Sequence, residues 1–144
     1  MSIVKGLKIK NNFNSPPTQN AITLISVLHN EEDSIDFFIN HYLSLGVTHF
    51  IFIDNGSTDQ SYSKISKYTK THNILVYYTE DSYKENNFGL IWVNRVLRNY
   101  KNNWFLVVDM DEIIVLKNNQ TLSEVREKMS TNKNNIANFI LIDF

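Results

Sequence analysis

From residue 22 onward, short apolar runs alternate with segments in which apolar residues recur every three or four positions. Ile22 to Leu28 is a run rich in β-branched residues and suits a buried strand. Between Asp33 and Leu45 the period changes. Ile35, Phe38, Ile39, Tyr42 and Leu43 share one helical face, with Ser34, Asp36, Asn40 and His41 on the other. Glu31, Glu32 and Asp33 put negative charge where a helix begins, and Gly46 supplies a stop. A second strand is predicted over His49 to Asp54, closed by the Asn55-Gly56 turn. Ser57 and Gln60 have capping-box spacing for a helix striped by Tyr62, Ile65 and Tyr68. Ile74 to Thr79 reads as a third strand. Leu90, Ile91, Val93, Val96, Leu97 and Tyr100 mark a third helix, and Trp104 to Val108 is the most apolar strand. Ile113 to Leu116 is a short extended piece. Thr121 and Glu124 form another capping box, opening a helix through Met129, and Phe139 to Ile142 is strand-like.

Short apolar strands alternating with helices predict an α/β fold, a mostly parallel sheet flanked by helices on both faces. Residues 1–20, with Pro16 and Pro17, read as an irregular N-terminal lead-in, and 21–144 as one ligand-binding domain. In such sheets ligands bind beyond the carboxyl ends of the strands, so the residues after each strand carry the interest.

Composition narrows the classes. A hydrophobic fraction of 42% with 20% charged residues is that of a globular chain, not a disordered one. The 14 Lys and Arg against 15 Asp and Glu give a net charge of −1, which argues against a nucleic-acid binder working by phosphate neutralisation. With no cysteine there is neither a disulfide framework nor a thiolate metal site. No apolar run reaches the roughly 18–20 residues that cross a bilayer. The first ten residues mix Lys5, Lys8 and Lys10 with Ile3, Val4, Leu7 and Ile9. They read as a solvated leader or as a segment in weak contact with an anionic membrane surface.

Three of the four main strands run out into acids: His29-Asn30-Glu31-Glu32-Asp33, Asp54-Asn55-Gly56-Ser57-Thr58-Asp59, and Asp109-Met110-Asp111-Glu112. Two carboxylates one residue apart after a buried strand can share a divalent cation, a hard ion that keeps positions open for phosphate oxygens. The same residues also suit a solvated turn. Asp54 and Asn55 suit turn chemistry or a hydrogen bond to a nucleotide base. Glu31 and Glu32 suit the helix dipole or contact with base and ribose. His29 suits a strand end or a ring beside the base, and Asn94 and Arg95 a polar helix face or a phosphate contact.

Taken together, LISVLHNEED, FIFIDNGSTDQS and WFLVVDMDE resemble, in order and spacing, the family 2 glycosyltransferases and their relatives with the nucleotide-diphospho-sugar transferase (GT-A) fold. The resemblance covers about residues 22–116. It implies a metal-dependent transfer of sugar from a nucleotide-diphosphate donor to a hydroxyl of a glycan or lipid-linked glycan, with inversion. It implies that Leu28, His29, Asn30 and Glu31 border the nucleotide and that Asp54 or Asn55 holds the base. Asp109 would approach ribose or diphosphate, Asp111 would ligate Mn2+ or Mg2+, and Trp104 would pack behind the strand. Such relatives serve bacterial surface polysaccharide synthesis, so the expected setting is cytoplasmic, at the inner membrane.

The chain departs from that pattern in two places. Asn55 stands where the second of two aspartates is familiar, which leaves base preference open. Family domains continue past Phe144 to an acceptor site and a general base, so the expectation is a domain incomplete at its C-terminus. Asp143 is an acid near the end but comes early for that base. Two rival readings remain: a nucleotide-binding remnant without catalysis, and a receiver-like signalling module phosphorylated at Asp54.

Overall fold

The computed structural model describes residues 4–18, 21–100, 103–117 and 120–132, together with the backbone of 142–143. Its centre is a five-stranded sheet built from β1 (Lys8–Asn11), β2 (Ile22–Leu28), β3 (His49–Asp54), β4 (Asn73–Tyr78) and β5 (Trp104–Val107), in the spatial order β1-β4-β3-β2-β5. The β4-β3-β2-β5 pairs are parallel, whereas β1 lies antiparallel along β4. β6 (Glu112–Ile113) and β7 (Ile142–Asp143) form a separate antiparallel pair. Four helices join these strands: α1 (Ile35–Ser44), α2 (Ser61–Tyr68), α3 (Leu90–Leu97) and α4 (Leu122–Thr131).

Alternation along the strands divides the core in two. Phe50 and Phe52 of β3 point to one side, with Leu24, Ile74 and Val76, and pack against Phe38, Ile39 and Tyr42 of α1 and Ile65 of α2. Ile51 and Ile53 point to the other side, with Ile25, Leu75 and Tyr77, and meet Trp92, Val93 and Val96 of α3. A parallel sheet buried on both faces has this composition for a physical reason: neither face can tolerate a regular polar stripe.

Three local expectations fail. Within the segment read as an irregular lead-in, residues 8–11 form the edge strand β1, and Val4 and Leu7 are buried in the second core. Two of the apolar residues that membrane contact would need are thus packed inside the protein. The Ser57/Gln60 capping box does not form. α2 begins at Ser61 behind Gln60, and the backbone N–H of Ser61 donates instead to Asp59 Oδ1 at 2.9 Å. In α3 the phase differs from the expected stripe, because Trp92 is the buried anchor and Leu90 faces outward. The Thr121/Glu124 capping box is present, and Gly46 has the positive φ of a helix stop. Of the strand-like Phe139 to Ile142, residues 139–141 lie outside the described residues, as does the side chain of Asp143.

Candidate functional site

The carboxyl ends of β2, β3, β4 and β5 open on one cleft of about 730 Å³. Of the residues expected to bind a nucleotide or metal, Leu28, His29, Glu31, Asn55, Asp109 and Asp111 line it.

The acid pair is a product of strand alternation carried one turn past β5. Val108 and Met110 are buried, so Asp109 and Asp111 both face outward on the same lip. The turn is closed by the Glu112 N–H donating to the Asp109 carbonyl at 3.1 Å. Glu112 Oε2 accepts from the Asp109 N–H at 3.4 Å, so this third acid braces the turn. α1 holds the next residues. Tyr42 donates its hydroxyl to the Glu112 carbonyl at 3.1 Å and accepts from the Ile114 N–H at 3.2 Å. Burial raises the Tyr42 hydroxyl to about 12, so it stays a donor. Partial burial, and then the neighbouring Asp111 charge, push the Asp109 carboxyl above its ordinary value. A cation between these two groups would relieve that cost.

The donor set fits such an ion in kind. Both groups are hard carboxylate oxygens. Among the described residues no cluster of three or more His, Cys, Asp or Glu side chains could hold a metal on its own. Two protein carboxylates leave coordination positions for water and phosphate, the arrangement Mg2+ favours.

Two expected residues stand elsewhere. Asp54 is fully buried. Its Oδ2 is in an ion pair with Lys10 Nζ at 2.9 Å, and its Oδ1 accepts from the Ser57 N–H at 2.8 Å. Lys10 in turn sits 4.3 Å from the centres of both the Tyr62 and Tyr78 rings. Asp54 therefore shapes the turn from beneath and does not face the cleft. Asn30, at φ +57°, also serves the loop. Its Oδ1 accepts from the Thr58 N–H at 2.8 Å, and its own N–H donates to Ser57 Oγ at 3.0 Å. Glu32 accepts from the Gln60 N–H at 2.8 Å, and the Glu31 N–H donates to Ser61 Oγ at 2.8 Å. The loops after β2 and β3 are thereby laced into one rigid rim. Arg95 donates to the Lys5 carbonyl at 2.9 Å and is absent from the cleft lining.

Asn55 combines both of its readings. Its Nδ2 donates to the carbonyls of Thr79 at 3.3 Å and Asp81 at 3.0 Å. Carbonyls only accept, so the amide orientation is fixed and Oδ1 is the atom left to receive a hydrogen bond. The Asn55 carbonyl accepts from His29 Nδ1 at 2.7 Å, which makes Nδ1 the protonated nitrogen of that ring.

The cleft also has a wall that strand-end reasoning overlooked: Glu80, Asp81, Ser82 and Tyr83, following β4. The signal was present, because Glu80-Asp81 repeats at β4 the acidic strand end seen after the other three. This segment crosses the strand tips. Asn55 bonds to it at β3, and Gly89 abuts Val27 of β2. Tyr83 feels the charges of Asp109 and Asp111, which add to burial in raising its hydroxyl.

A parallel sheet with an acid-lined cleft across its strand tips defines an α/β protein of the class whose ligands commonly bind at the carboxyl edge. Solved structures share this fold. S. aureus TarS 1-349 matches with 20% identity and a TM-score of 0.59 over 78% of this chain and 33% of that one. S. aureus TarS matches at 22% and 0.61, over 78% and 20%. TarS 1-349 in complex with UDP matches at 22% and 0.58, over 78% and 33%. The chain thus spans a third or less of the structures it matches. No curated protein matches it. The model of glycosyltransferase family 92 matches residues 25–143, and the chain belongs to that family. The motif resemblance had pointed to family 2. Of the resemblance to family 2 and its GT-A relatives, the coarser part, membership of a glycosyltransferase family, holds, and the family is 92.

Proposed function

We propose that the cleft binds a nucleotide-diphosphate sugar together with Mn2+ or Mg2+, as the donor site of a GT-A-type glycosyltransferase. One observation carries this reading: Asp109 and Asp111 share a cleft with Leu28, His29, Glu31 and Asn55. The UDP complex of a protein with the same fold supports it. The base lies toward Asn55, whose free Oδ1 suits an imide N–H such as that of uracil. The diphosphate lies toward Asp109 and Asp111, which would hold the cation. Bound there, a divalent ion offsets the charge that develops on a departing diphosphate. The laced rim of the β2 and β3 loops fixes the base end, and the Tyr42-braced turn fixes the acid pair. An acceptor hydroxyl displaces the diphosphate at the anomeric carbon with inversion, its proton passing to a base that none of these residues is assigned to be.

The receiver-like reading fits poorly, because Asp54 is buried and ion-paired with Lys10 and a phosphodonor cannot reach it.

Calorimetry with UDP, with and without Mn2+, is the test. Binding that requires the ion, and is lost in Asp111→Ala even when the ion is present, is expected. Equal affinity with and without Mn2+, or none in either case, rejects the proposal. Binding with no hydrolysis or transfer of the donor would leave the chain a binding role alone.

A further inference from the structure

An aromatic corner borders the cleft beside the acid pair, with Tyr83 in its lining and Phe88 packed against Tyr83 outside it. Tyr83 lines the cleft and is 42% exposed, and Phe88 is 61% exposed. Their rings meet edge to face, 5.8 Å between centres at 82°, and Tyr83 is backed by the buried Trp92 at 6.2 Å.

The backbone that holds Phe88 there is strained. Asn87 and Phe88 both have φ of +52°, and Gly89 follows at +81°. Left-handed backbone is uncommon and strained for a bulky residue. Burial does not offset that strain, because the ring is largely in solvent. The conformation is nevertheless well determined. The Phe88 N–H donates to the Tyr83 carbonyl at 3.0 Å, and the Leu90 and Ile91 N–H groups donate to Asn87 and Asn86 at 3.2 Å each. Gly89 brings the loop so close to β2 that an added Cβ would stand 3.0 Å from Val27 and 3.1 Å from Tyr83.

The surroundings define the occupant. Among the described residues the cleft lining holds Glu31, Glu80, Asp81, Asp109 and Asp111 but no lysine or arginine. Apart from a cation held by the acid pair, an anionic headgroup finds no counter-charge there. A pyranose ring fits, because its C–H face packs on an aromatic ring while its hydroxyls donate to carboxylates. The base end of the cleft is at Asn55, whereas Tyr83 stands near the acid pair.

We propose that Tyr83 and Phe88 form a platform for a sugar ring, either the donor's sugar or a sugar of the acceptor. The donor arm of this inference rests on the nucleotide-sugar reading above.

Phe88→Asn tests it in the full chain. Asn removes the ring yet tolerates a left-handed backbone, so the fold is retained and the melting temperature should not fall. Calorimetry with Mn2+ would compare UDP with UDP-glucose, UDP-galactose and UDP-N-acetylglucosamine. Saturation-transfer NMR would follow cellotetraose and maltotetraose. Unchanged UDP affinity with about a three- to tenfold loss for a nucleotide sugar supports the donor source. A comparable loss confined to a tetrasaccharide supports the acceptor source. Phe88→Trp should keep the affected ligand. An equal loss for UDP and its sugars would assign the ring to the base and overturn the proposal. No change with any probe, or binding of no saccharide by the parent chain, overturns it as well. Failure of the parent to bind UDP while a tetrasaccharide still depends on Phe88 would sink the donor-site reading and spare this one.

Discussion

Lys10→Met removes the positive partner of a buried carboxylate while keeping most of the apolar stem. Asp54 is left with its side chain 1% exposed, one hydrogen bond from the Ser57 N–H, and no counter-charge. Breaking a fully buried pair costs about 3–5 kcal/mol, mostly as uncompensated charge. The lysine side chain is 28% exposed, so water reduces that figure. Loss of the cation's contact with two tyrosine rings adds about 0.5–1 kcal/mol per ring. Together these give a destabilisation of about 3 kcal/mol, a large share of the 5–15 kcal/mol typical of a domain. Urea unfolding reads this as a midpoint lowered by about 1.5 M at an m-value of about 2 kcal/mol/M. Asp54→Asn keeps an acceptor for Ser57 and removes the charge, so the double variant should be more stable than Lys10→Met alone. A loss below about 1 kcal/mol, or additive single and double variants, would refute the idea that this pair fixes the turn carrying Asn55.

Three further outcomes are expected. The fixed Asn55 amide should favour UDP over CDP by about tenfold or more, because the cytosine N3 offers only a lone pair to Oδ1; competition calorimetry reads this, and equal affinities would remove Asn55 from base recognition. Tyr42→Phe leaves the Ile114 N–H buried without its partner and should cost about 1–3 kcal/mol by chemical denaturation while weakening Mn2+-dependent UDP binding, since the acid turn loses its brace. His49 is buried beside Phe13, and burial, only partly opposed by a hydrogen bond with the Ser15 backbone, lowers its pKa below the ordinary 6.5. Between that lowered value and 6.5 the unfolded chain binds more protons. Stability is therefore full above about pH 6.5 and falls as pH drops through it, by at most about 1.4 kcal/mol per unit. Melting curves from pH 7.5 to 5 should show a dependence that His49→Gln flattens.

Local patterns carried the parallel strands and the acid pair, and contacts distant in sequence decided the rest. Asp109 and Asp111 could be placed from sequence because alternation past β5, through the buried Leu106, Val108 and Met110, sends both to one side. Asp54 sits at the same kind of strand end, yet its role depends on Lys10, 44 positions earlier. Nothing local to either residue reveals that pairing. Lys8–Asn11 lacked an apolar alternation because an edge strand meets solvent, and its register is set by Tyr78, Tyr77 and Val76. The Ser57 cap failed for a related reason. Asp54, Asn30 and Asp59 take the N–H groups of Ser57, Thr58 and Ser61, and Ser57 Oγ itself accepts from the Asn30 N–H of the β2 loop folding across.

The same distinction explains how the cleft is built. Its rim after β2 and β3 rests on reciprocal bonds between two loops, so each of those side chains is committed to structure. The free atoms, Asn55 Oδ1 and the carboxylates of Asp109 and Asp111, are then held without having to organise on binding, which is where affinity for a small ligand is otherwise lost. The opposite wall is strained at Asn87 and Phe88 and presents an aromatic ring to solvent. Rigidity at one end and stored strain at the other are what a site needs if it grips a nucleotide constantly and discriminates at the sugar.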